Sequence, residues 1–367
     1  MNCDSLCKLA TVLSRLPPAA AGDYLAAVDL LRQAVDAALQ ARPDLPALIG
    51  TEGTDGIEAM DANHVNHARF MTSVFAQRDA APLIDTMIYI YSSYISRGFS
   101  PNYFHIELEC WAEAVTAHVP LGSAGAIGDV YRTMIDCYPA LVSQVAQEPE
   151  GNSEVALDDR ARRLLEALLA LDAGASLAHA RGEIAGPEAI SGYWTQVMAP
   201  ALHELGRRWE RGLVSVGQKH LAAAIAQQLM TVFYPMILGH PRPRRGCLVL
   251  TVSPGELHEV GPRMVADCLE LDGWNVIYTG ASMPTDGIAA LLHQHGVNVL
   301  AVGTTMYFNI PQTERLIAQV RHQLGRPLTV IVGGRAFAGN SPWSSIGADL
   351  FAPDANTAVA MLRHHAT

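Results

Sequence analysis

The sequence predicts an α-helical N-terminal part followed by an α/β part with a doubly wound parallel sheet. Between Asp23 and Leu238, apolar residues recur at three- and four-residue spacing, which is the period of a helix. From Cys247 onward, short apolar runs alternate with helical patterns, as strands buried on both faces of a parallel sheet do. The chain of 367 residues is long enough for two or three domains. Because polar Pro/Gly segments lie at Glu148–Asn152 and Gly239–Gly246, we predict domains at 1–150, 151–240 and 246–367.

The first two predicted domains are entirely helical. Residues 1–21 form a short lead, and the helices predicted after it are Asp23–Arg42, Asn63–Phe75, Ala81–Arg97, Pro101–Val119 and Gly125–Gln147. Ser100 and Pro101 have the residue types preferred at the N-cap and first position of a helix. The second domain has helical patterns long enough for a four-helix bundle, at Asp158–Asp172, Leu177–Arg181, Pro187–Arg211 and Ser215–Leu238.

The third predicted domain alternates strands with helices. Its strands are Cys247–Val252, Asn275–Tyr278, Val297–Gly303, Leu328–Gly333 and Asp349–Phe351. Its helices are Glu259–Leu271, Pro284–His295, Ile310–Leu324 and Asn356–His364. Five buried strands joined by helices indicate a doubly wound sheet, whose ligands bind beyond the carboxyl ends of the strands.

Net charge, cysteine spacing and the lack of long apolar runs indicate which partners and surroundings the protein is expected to have. The net charge is −11 and the pI about 5.6, whereas nucleic-acid-binding domains are normally basic, so we expect no nucleic-acid partner. The six cysteines show no CxxC or zinc spacing, and we expect reduced thiols in a cytoplasmic protein. Since we find no signal-peptide pattern and no apolar run of about 18 residues, we expect no membrane association.

The loop after the first strand carries the strongest functional signal. Gly255–Gly261 reads GELHEVG and places His258 at the carboxyl end of that strand. Glu256 lies two residues earlier, where its carboxylate can accept a bond from one imidazole nitrogen and make the other a better metal donor. Gly261 leaves space for a ligand to approach the backbone.

This loop resembles the cobalamin-binding motif Asp-x-His-x-x-Gly, here with glutamate at its first position. The resemblance implies a Rossmann-like or flavodoxin-like domain in which His258 is the lower cobalt ligand and replaces the cofactor's own base. It also assigns cofactor contacts to the turns after the next strands, where small and hydroxyl residues give room to the nucleotide tail. The matching residues are Gly280, Thr304, Thr305, Gly333 and Gly334.

The bundle resembles the cap of light-responsive repressors that bind adenosylcobalamin, and that of methionine-synthase-type modules. In the light-responsive group the signature is Trp, nine residues, then Glu-His, and here Trp209 and His220 match it. The sequence departs at Lys219, where glutamate is usual, and at Glu210, where the repressors have the histidine that ligates cobalt after photolysis. The resemblance implies that Trp209 contacts the adenosyl group, and His220 or His203 is then the candidate upper ligand after photolysis.

The N-terminal domain concentrates aromatic and cationic residues: four of the eleven tyrosines lie between Tyr89 and Tyr103. One interpretation is an aromatic core with a polar rim; the other is a site for a flat chromophore whose carboxylates bind Arg or His. The domain resembles the globin-like helical domains of photocobilins, which carry biliverdin beside cobalamin, and this implies a non-covalent bilin. A haem on His64, His67 or His105 is the alternative. The candidate bilin-binding residues are His64, His67, Arg69, Tyr91, Tyr94, Arg97, Tyr103 and His105.

Together these resemblances predict a photocobilin-type light sensor rather than an enzyme. Photolysis of adenosylcobalamin is expected to change the packing of the bundle. No DNA-reading pattern, kinase or cyclase is recognised, so the output is expected to pass through light-dependent self-association or a separate protein. The alternative is a corrinoid methyl-carrier protein of a methyltransferase system. A cobalamin-dependent mutase would need a TIM-barrel partner, and no barrel pattern is recognised.

Overall fold

The computed structural model describes residues 3–50, 54–147, 157–338 and 343–365. It divides into two compact units. One comprises Met1–Ser153 together with Trp209–Leu213, and the other comprises Glu154–Arg208 and Val214–Thr367. The predicted boundary at Glu148–Asn152 lies outside the described residues, and the three-domain division stays a prediction.

The first unit is helical, as the sequence predicts. Its helices are α1 (Cys3–Ser14), α2 (Ala20–Gln40), α3 (Leu45–Ile49), α4 (Thr54–Gln77), α5 (Ala80–Ile95), α6 (Pro101–His118) and α7 (Leu121–Gln147). The predicted cap of α6 is confirmed, because the Ser100 side chain accepts a hydrogen bond from the Asn102 amide at 3.3 Å.

The expectation that residues 1–21 form a short lead is wrong. Residues 3–14 form α1, and Leu9, Leu13 and Leu16 are buried from this segment. Their spacing of four and three residues is the helical period that the sequence already carried. The predicted helix at Asn63–Phe75 also extends further at its N-terminal end, since α4 begins at Thr54.

The second unit begins with the helices of the bundle. These are α8 (Asp159–Leu169), α9 (Ala173–Glu183), α10 (Pro187–Tyr193), α11 (Ala199–Glu210) and α12 (Val216–Gly239). The single helix expected at Pro187–Arg211 is interrupted by a π-helical turn, Trp194–Met198, which joins α10 to α11. Such turns often occur at functional sites.

Helix α12 is apolar along its length. Among the described residues it is the one helix whose length and composition would suffice to cross a membrane. Seven of its side chains, including Ala222, Ile225, Leu229 and Phe233, are nevertheless buried at helical spacing. This burial is what the core helix of a bundle requires, so the composition of α12 is weak evidence for a membrane span.

The rest of the second unit is the predicted parallel sheet. Its strands are β1 (Gly246–Val252), β2 (Trp274–Tyr278), β3 (Val299–Gly303), β4 (Thr329–Gly333) and β5 (Leu350–Ala352), in the order β2-β1-β3-β4-β5. Every strand pair is parallel. The connecting and terminal helices are α13 (Val260–Asp272), α14 (Thr285–Gln294), α15 (Ile310–Leu324) and α16 (Ala355–His365).

Both faces of the sheet are covered. Alternate residues of β1 point to opposite sides: Val249 joins a core formed with α14 and α15, whereas Leu248 and Leu250 join one formed with α13 and α16. The strand order reverses between β1 and β3, because the chain runs from β1 outward to β2 and then returns to β3. Doubly wound sheets bind ligands at this switch point.

Candidate functional site

The loop that follows β1 carries His258 at the carboxyl edge of the sheet, beside the switch point. The loop turns at Gly255, whose φ of +82° lies in the left-handed region that favours glycine. The next residues run to the start of α13 at Val260. The side chain of His258 is 42% exposed, so the imidazole is accessible beyond the end of the strand, as the sequence predicts.

Glu256 ties this loop to the loop that follows β3. Its carboxylate is 1% exposed. One oxygen, Oε1, accepts from His258 Nδ1, from the His258 amide at 3.2 Å and from the Leu257 amide at 3.1 Å. The other, Oε2, accepts from the amides of Thr305 and Met306, both at 2.9 Å, and from Nδ2 of Asn309 at 3.2 Å. Glu256 therefore joins the two loops on either side of the switch point.

These bonds fix the chemistry of the imidazole. Burial by itself raises the pKa of Glu256, but the bonds from His258, Met306 and Thr305 outweigh it and lower the pKa to about 2. The carboxylate is thus ionised and acts as an acceptor, which holds the His258 proton on Nδ1. The lone pair is then on Nε2, the nitrogen that can bind a metal.

The surroundings of this loop fit a corrinoid. Open space surrounds the position that a side chain on Gly261 would occupy, at the start of α13. No cluster of three or more His, Cys, Asp or Glu side chains that could hold a metal occurs among the described residues. A corrin ring would itself hold the cobalt, so one histidine of the protein, His258, would be enough to bind it.

The Thr304 hydroxyl, which the resemblance assigns to the nucleotide tail, is hydrogen-bonded to another side chain of the protein. Thr304 is fully buried, and its Oγ1 lies 2.9 Å from Oγ1 of Thr313. Thr313 in turn donates to Ser253 Oγ at 2.9 Å, and Ser253 donates to the Asn309 carbonyl at 3.1 Å. These bonds reinforce the junction between the two loops, while Thr305 contributes its backbone amide to Glu256.

The predicted glycines lie where backbones approach closely. A Cβ on Gly334 would be 2.2 Å from the Thr304 carbonyl oxygen, and one on Gly333 would be 2.8 Å from that of Ala352. Gly280 has a φ of +67° in the turn after β2. Packing at the sheet edge therefore favours glycine at positions 333 and 334, and backbone conformation favours it at position 280. These requirements are separate from the cofactor contacts that the resemblance implies.

A buried polar cluster joins the bundle to α13, and sequence reasoning missed it. Trp194 and Asp267 are fully buried, and the indole Nε1 donates to Asp267 Oδ2 at 3.1 Å. Arg263 donates to Asp267 Oδ1 at 2.9 Å, and its guanidinium lies 4.5 Å from the ring centre of Tyr234. Burial raises the pKa of Asp267 to about 6, although Arg263 opposes the shift. Tyr234 also donates to Glu270 at 3.1 Å, so α13 holds two helices of the bundle.

Two candidate histidines lie on the bundle helices. His203 is on α11, and partial loss of solvent together with the charges of Arg207 and Arg335 lowers its pKa, which favours the neutral form that binds metals. His220 is exposed on the first turns of α12, next to Lys219. Trp209 is near the end of α11 and groups with the N-terminal unit.

The polar residues predicted for a chromophore in the N-terminal unit form an internal network instead of an open cluster. His64 is fully buried, with Nδ1 2.5 Å from Asp36 and Nε2 2.9 Å from the Tyr103 hydroxyl. His67 Nε2 lies 3.0 Å from the Tyr131 hydroxyl, and burial, followed by the charge of His64, lowers the pKa of His67 to about 3. Tyr103 is itself fully buried. These residues are held by one another, so a ligand would have to displace existing bonds to reach them.

The remaining candidates are divided between an aromatic core and the surface. Tyr91 packs with Phe104 and Tyr138, and Tyr94 packs with Phe99 and Phe104. Arg97 lies against Tyr94 and Trp209. Arg69 is exposed, and His105, with 41% of its side chain exposed, lies 3.4 Å from Glu109.

Comparisons with known proteins match the second unit to cobalamin-binding families. A family model described as B12 binding domain matches residues 246–362, and a second with the same description matches residues 160–234. The chain therefore carries a cobalamin-binding module made of the bundle and the sheet.

The similar proteins include a transcriptional repressor and corrinoid proteins. The chain is 30% identical over 142 residues to the HTH-type transcriptional repressor CarH of Myxococcus xanthus, and this match spans 38% of the chain and 46% of the repressor. It is 24% identical over 189 residues to dimethylamine corrinoid protein 1 of Methanosarcina acetivorans, over 51% of the chain and 86% of that protein. The structure of the monomethylamine corrinoid protein of Methanosarcina barkeri aligns with a TM-score of 0.49 at 16% identity, covering 55% of this chain and 96% of that one.

Proposed function

We propose that this protein is a light sensor that binds adenosylcobalamin with His258 as the lower cobalt ligand. The observation that carries this proposal is the Glu256 bridge at the switch point of the sheet, which holds His258 on an exposed loop with Nε2 as its metal-binding nitrogen. The similarity to the repressor CarH supports the sensor class. The cofactor supplies a cobalt–carbon bond that light can break.

Different residues of the chain would contact different parts of the cofactor. Glu256 orients His258, Gly261 leaves the approach to α13 open, and the loops joined by Thr304, Thr305 and Gly334 frame the side on which the nucleotide tail is expected. By resemblance, Trp209 packs against the adenosyl group. His203 and His220 are the candidates for an upper ligand after photolysis, and the lowered pKa of His203 favours the neutral form that binds metals.

The proposal includes biliverdin as a second chromophore in the N-terminal unit. The internal bonds of His64 and His67 disfavour a haem ligated by either histidine, since both nitrogens of His64 are already engaged. Arg69 and His105 are the exposed side chains that could donate hydrogen bonds to the propionates. The test is co-expression with a source of biliverdin, followed by a native red-region spectrum and an acid-denaturing gel with zinc fluorescence. Red absorbance without a covalent fluorescent band supports a non-covalent bilin, whereas a Soret-dominated spectrum contradicts it.

The proposed output is a change in the packing of the bundle that is passed on by self-association or to a separate protein. We propose a cytoplasmic, non-catalytic protein without a nucleic-acid partner, in keeping with the net charge of −11. The deciding experiment loads the apoprotein with adenosylcobalamin in the dark and records absorbance spectra and size-exclusion profiles before and after green light. A light-induced spectral change with a change in elution volume supports the sensor; unchanged elution together with unchanged binding of an added partner contradicts it.

The second candidate function is a corrinoid methyl-carrier protein, favoured by the match over 86% of a dimethylamine corrinoid protein. Such a carrier presents methylcobalamin to a methyltransferase and has no need to prefer the adenosyl form. Dark titrations with methyl-, adenosyl- and hydroxocobalamin distinguish the two. A preference for the adenosyl form supports the sensor, and equal affinities support the carrier.

A further inference from the structure

The segment Trp209–Leu213 packs against the end of α5. It groups with the N-terminal unit, although it links α11 to α12 along the chain. Ser96, at the C-terminal end of α5, has its Oγ 3.0 Å from the Ser93 carbonyl and 3.3 Å from the Glu210 carbonyl, so its one proton can go to either. Gly212 has a φ of +70°, and a Cβ there would be 2.7 Å from the Ser96 carbonyl oxygen. The fit is therefore close enough to require glycine.

This packing brings Arg97 onto the indole of Trp209. The Arg97 guanidinium carbon lies 4.3 Å from the centre of the Trp209 ring and 5.8 Å from that of Tyr94. The ring of Tyr89 is 6.5 Å from that of Trp209. Tryptophan is the strongest aromatic partner for a cation, and the interaction strengthens as water is removed.

The Arg97 guanidinium lies against these rings and has one unsatisfied nitrogen within the described part of the chain. Arg97 Nη2 is buried and has no hydrogen-bond partner among the described residues. A buried donor without an acceptor is costly, so its retention needs a reason. Stacking on Trp209 supplies one, because a planar guanidinium stacks on an indole in a way that the point charge of a lysine does not.

We propose that Arg97 is a positioning residue that sets the orientation of the Trp209 indole and thereby the selectivity for the upper ligand of cobalamin. This inference rests on the proposed function, in which Trp209 packs against the adenosyl group. Arg97 follows α5, whose residues Tyr91 and Tyr94 belong to the aromatic core of the N-terminal unit.

The test is a double-mutant cycle on cobalamin selectivity. The affinities of the full-length protein for adenosylcobalamin and hydroxocobalamin are measured in the dark for the wild type, Arg97→Met, Trp209→Ala and the double variant. Methionine keeps apolar packing but removes the cation. We expect Arg97→Met to reduce the adenosyl preference by about 5- to 30-fold, which corresponds to the loss of a partly desolvated cation–π contact. The double variant should lose no more than Trp209→Ala alone, because Arg97 acts through the indole.

Two further variants separate positioning from general stability. Arg97→Lys should restore part of the selectivity, since it keeps the charge but not the planar stack. Arg132→Met is the matched control, because Arg132 is a 59% exposed arginine paired with Asp129 on α7, and selectivity should not change. The hydroxocobalamin spectrum should be the same in all variants, because His258 is untouched.

The outcomes distinguish the inference from the function on which it rests. If Trp209→Ala lowers selectivity and Arg97→Met does not, the inference is overturned and the proposed role of Trp209 stands. The inference is also overturned if Arg97→Met weakens both cobalamins equally, as general destabilisation would. If Trp209→Ala leaves selectivity unchanged, the proposed contact with the adenosyl group fails, and the role of Arg97 fails with it.

Discussion

Replacing Glu256 with glutamine tests the bridge that holds His258. The carboxylate accepts three bonds through each oxygen, with His258 and Leu257 on one side and Thr305, Met306 and Asn309 on the other. Glutamine keeps one acceptor oxygen and replaces the other with an NH₂ group, so one set of three donors must face a donor. The change preserves shape and size, and it removes acceptors without opening a cavity.

Both orientations of the glutamine weaken the cobalamin site. If the oxygen stays on His258, the loop after β3 loses its three bonds to Glu256, and the Ser253, Thr304 and Thr313 bonds still join it to the loop after β1. If the NH₂ group faces His258, it donates to Nδ1, moves the imidazole proton to Nε2 and blocks metal binding. Outer-shell changes of this kind cost about 10- to 100-fold in metal affinity, or about 1.4–2.7 kcal/mol.

The assay is an absorbance titration of the apoprotein with hydroxocobalamin. Glu259→Gln is the matched control, because Glu259 lies in the same loop and accepts from the Ala281 amide at 2.6 Å through a single oxygen that glutamine retains. We expect Glu256→Gln to bind about 10- to 100-fold more weakly and Glu259→Gln to bind like the wild type. Wild-type affinity and spectrum for Glu256→Gln would refute the argument that the bridge orients the ligand.

Two further predictions concern the lower ligand and the cluster on α13. His258→Ala should lose the spectrum of histidine-ligated cobalamin and bind more weakly than Glu256→Gln, because the metal loses its protein ligand; an unchanged spectrum would contradict the assignment. Asp267 has its folded-state pKa raised from 3.8 to about 6, so the folded apoprotein keeps a proton that the unfolded chain releases. Its unfolding free energy should therefore fall by up to about 3 kcal/mol as pH rises from about 4 to about 6, with no further change from this group above that pH. Asp267→Asn should remove this dependence in urea-unfolding midpoints, and an identical pH profile for the two proteins would contradict it.

Local pattern was enough to predict most of the fold. The five strands and the helices between them agree with the prediction to within a few residues, because short apolar runs bounded by turns have few alternatives in an α/β chain. The interrupted helix at Trp194–Met198 was not predicted, since a π-helical turn differs from an α-helical one in its i→i+5 hydrogen bonds, which no residue type in this segment indicates. Helix α1 was missed although Leu9, Leu13 and Leu16 carried its period.

Only part of the site could be predicted. The pairing of Glu256 with His258 is local, and two-residue spacing was enough to infer it. The bonds from Thr305 and Met306 come from backbone amides about fifty residues away. Because almost every residue type has a backbone amide, the sequence does not indicate which amides will bind Glu256. The sequence placed Asp267 in the predicted helix Glu259–Leu271 but did not predict its buried hydrogen bond, because its partner Trp194 is 73 residues away.

The cluster on α13 also limits how the bundle can move. Separating Trp194 from Asp267 would leave a buried indole and a carboxylate without their bond, and a buried polar group left without its partner costs about 1–3 kcal/mol. A ligand needs about 5.5 kcal/mol of differential affinity to turn a two-state equilibrium from 1:99 to 99:1, and a movement that breaks this bond would add its cost to that requirement. A movement that keeps this contact is therefore favoured, and we expect the bundle to pivot about Trp194 without lifting away from α13. Amide exchange measured in the dark and after green light should then leave Met264–Glu270 equally protected, while a loss of protection there would show that the contact opens.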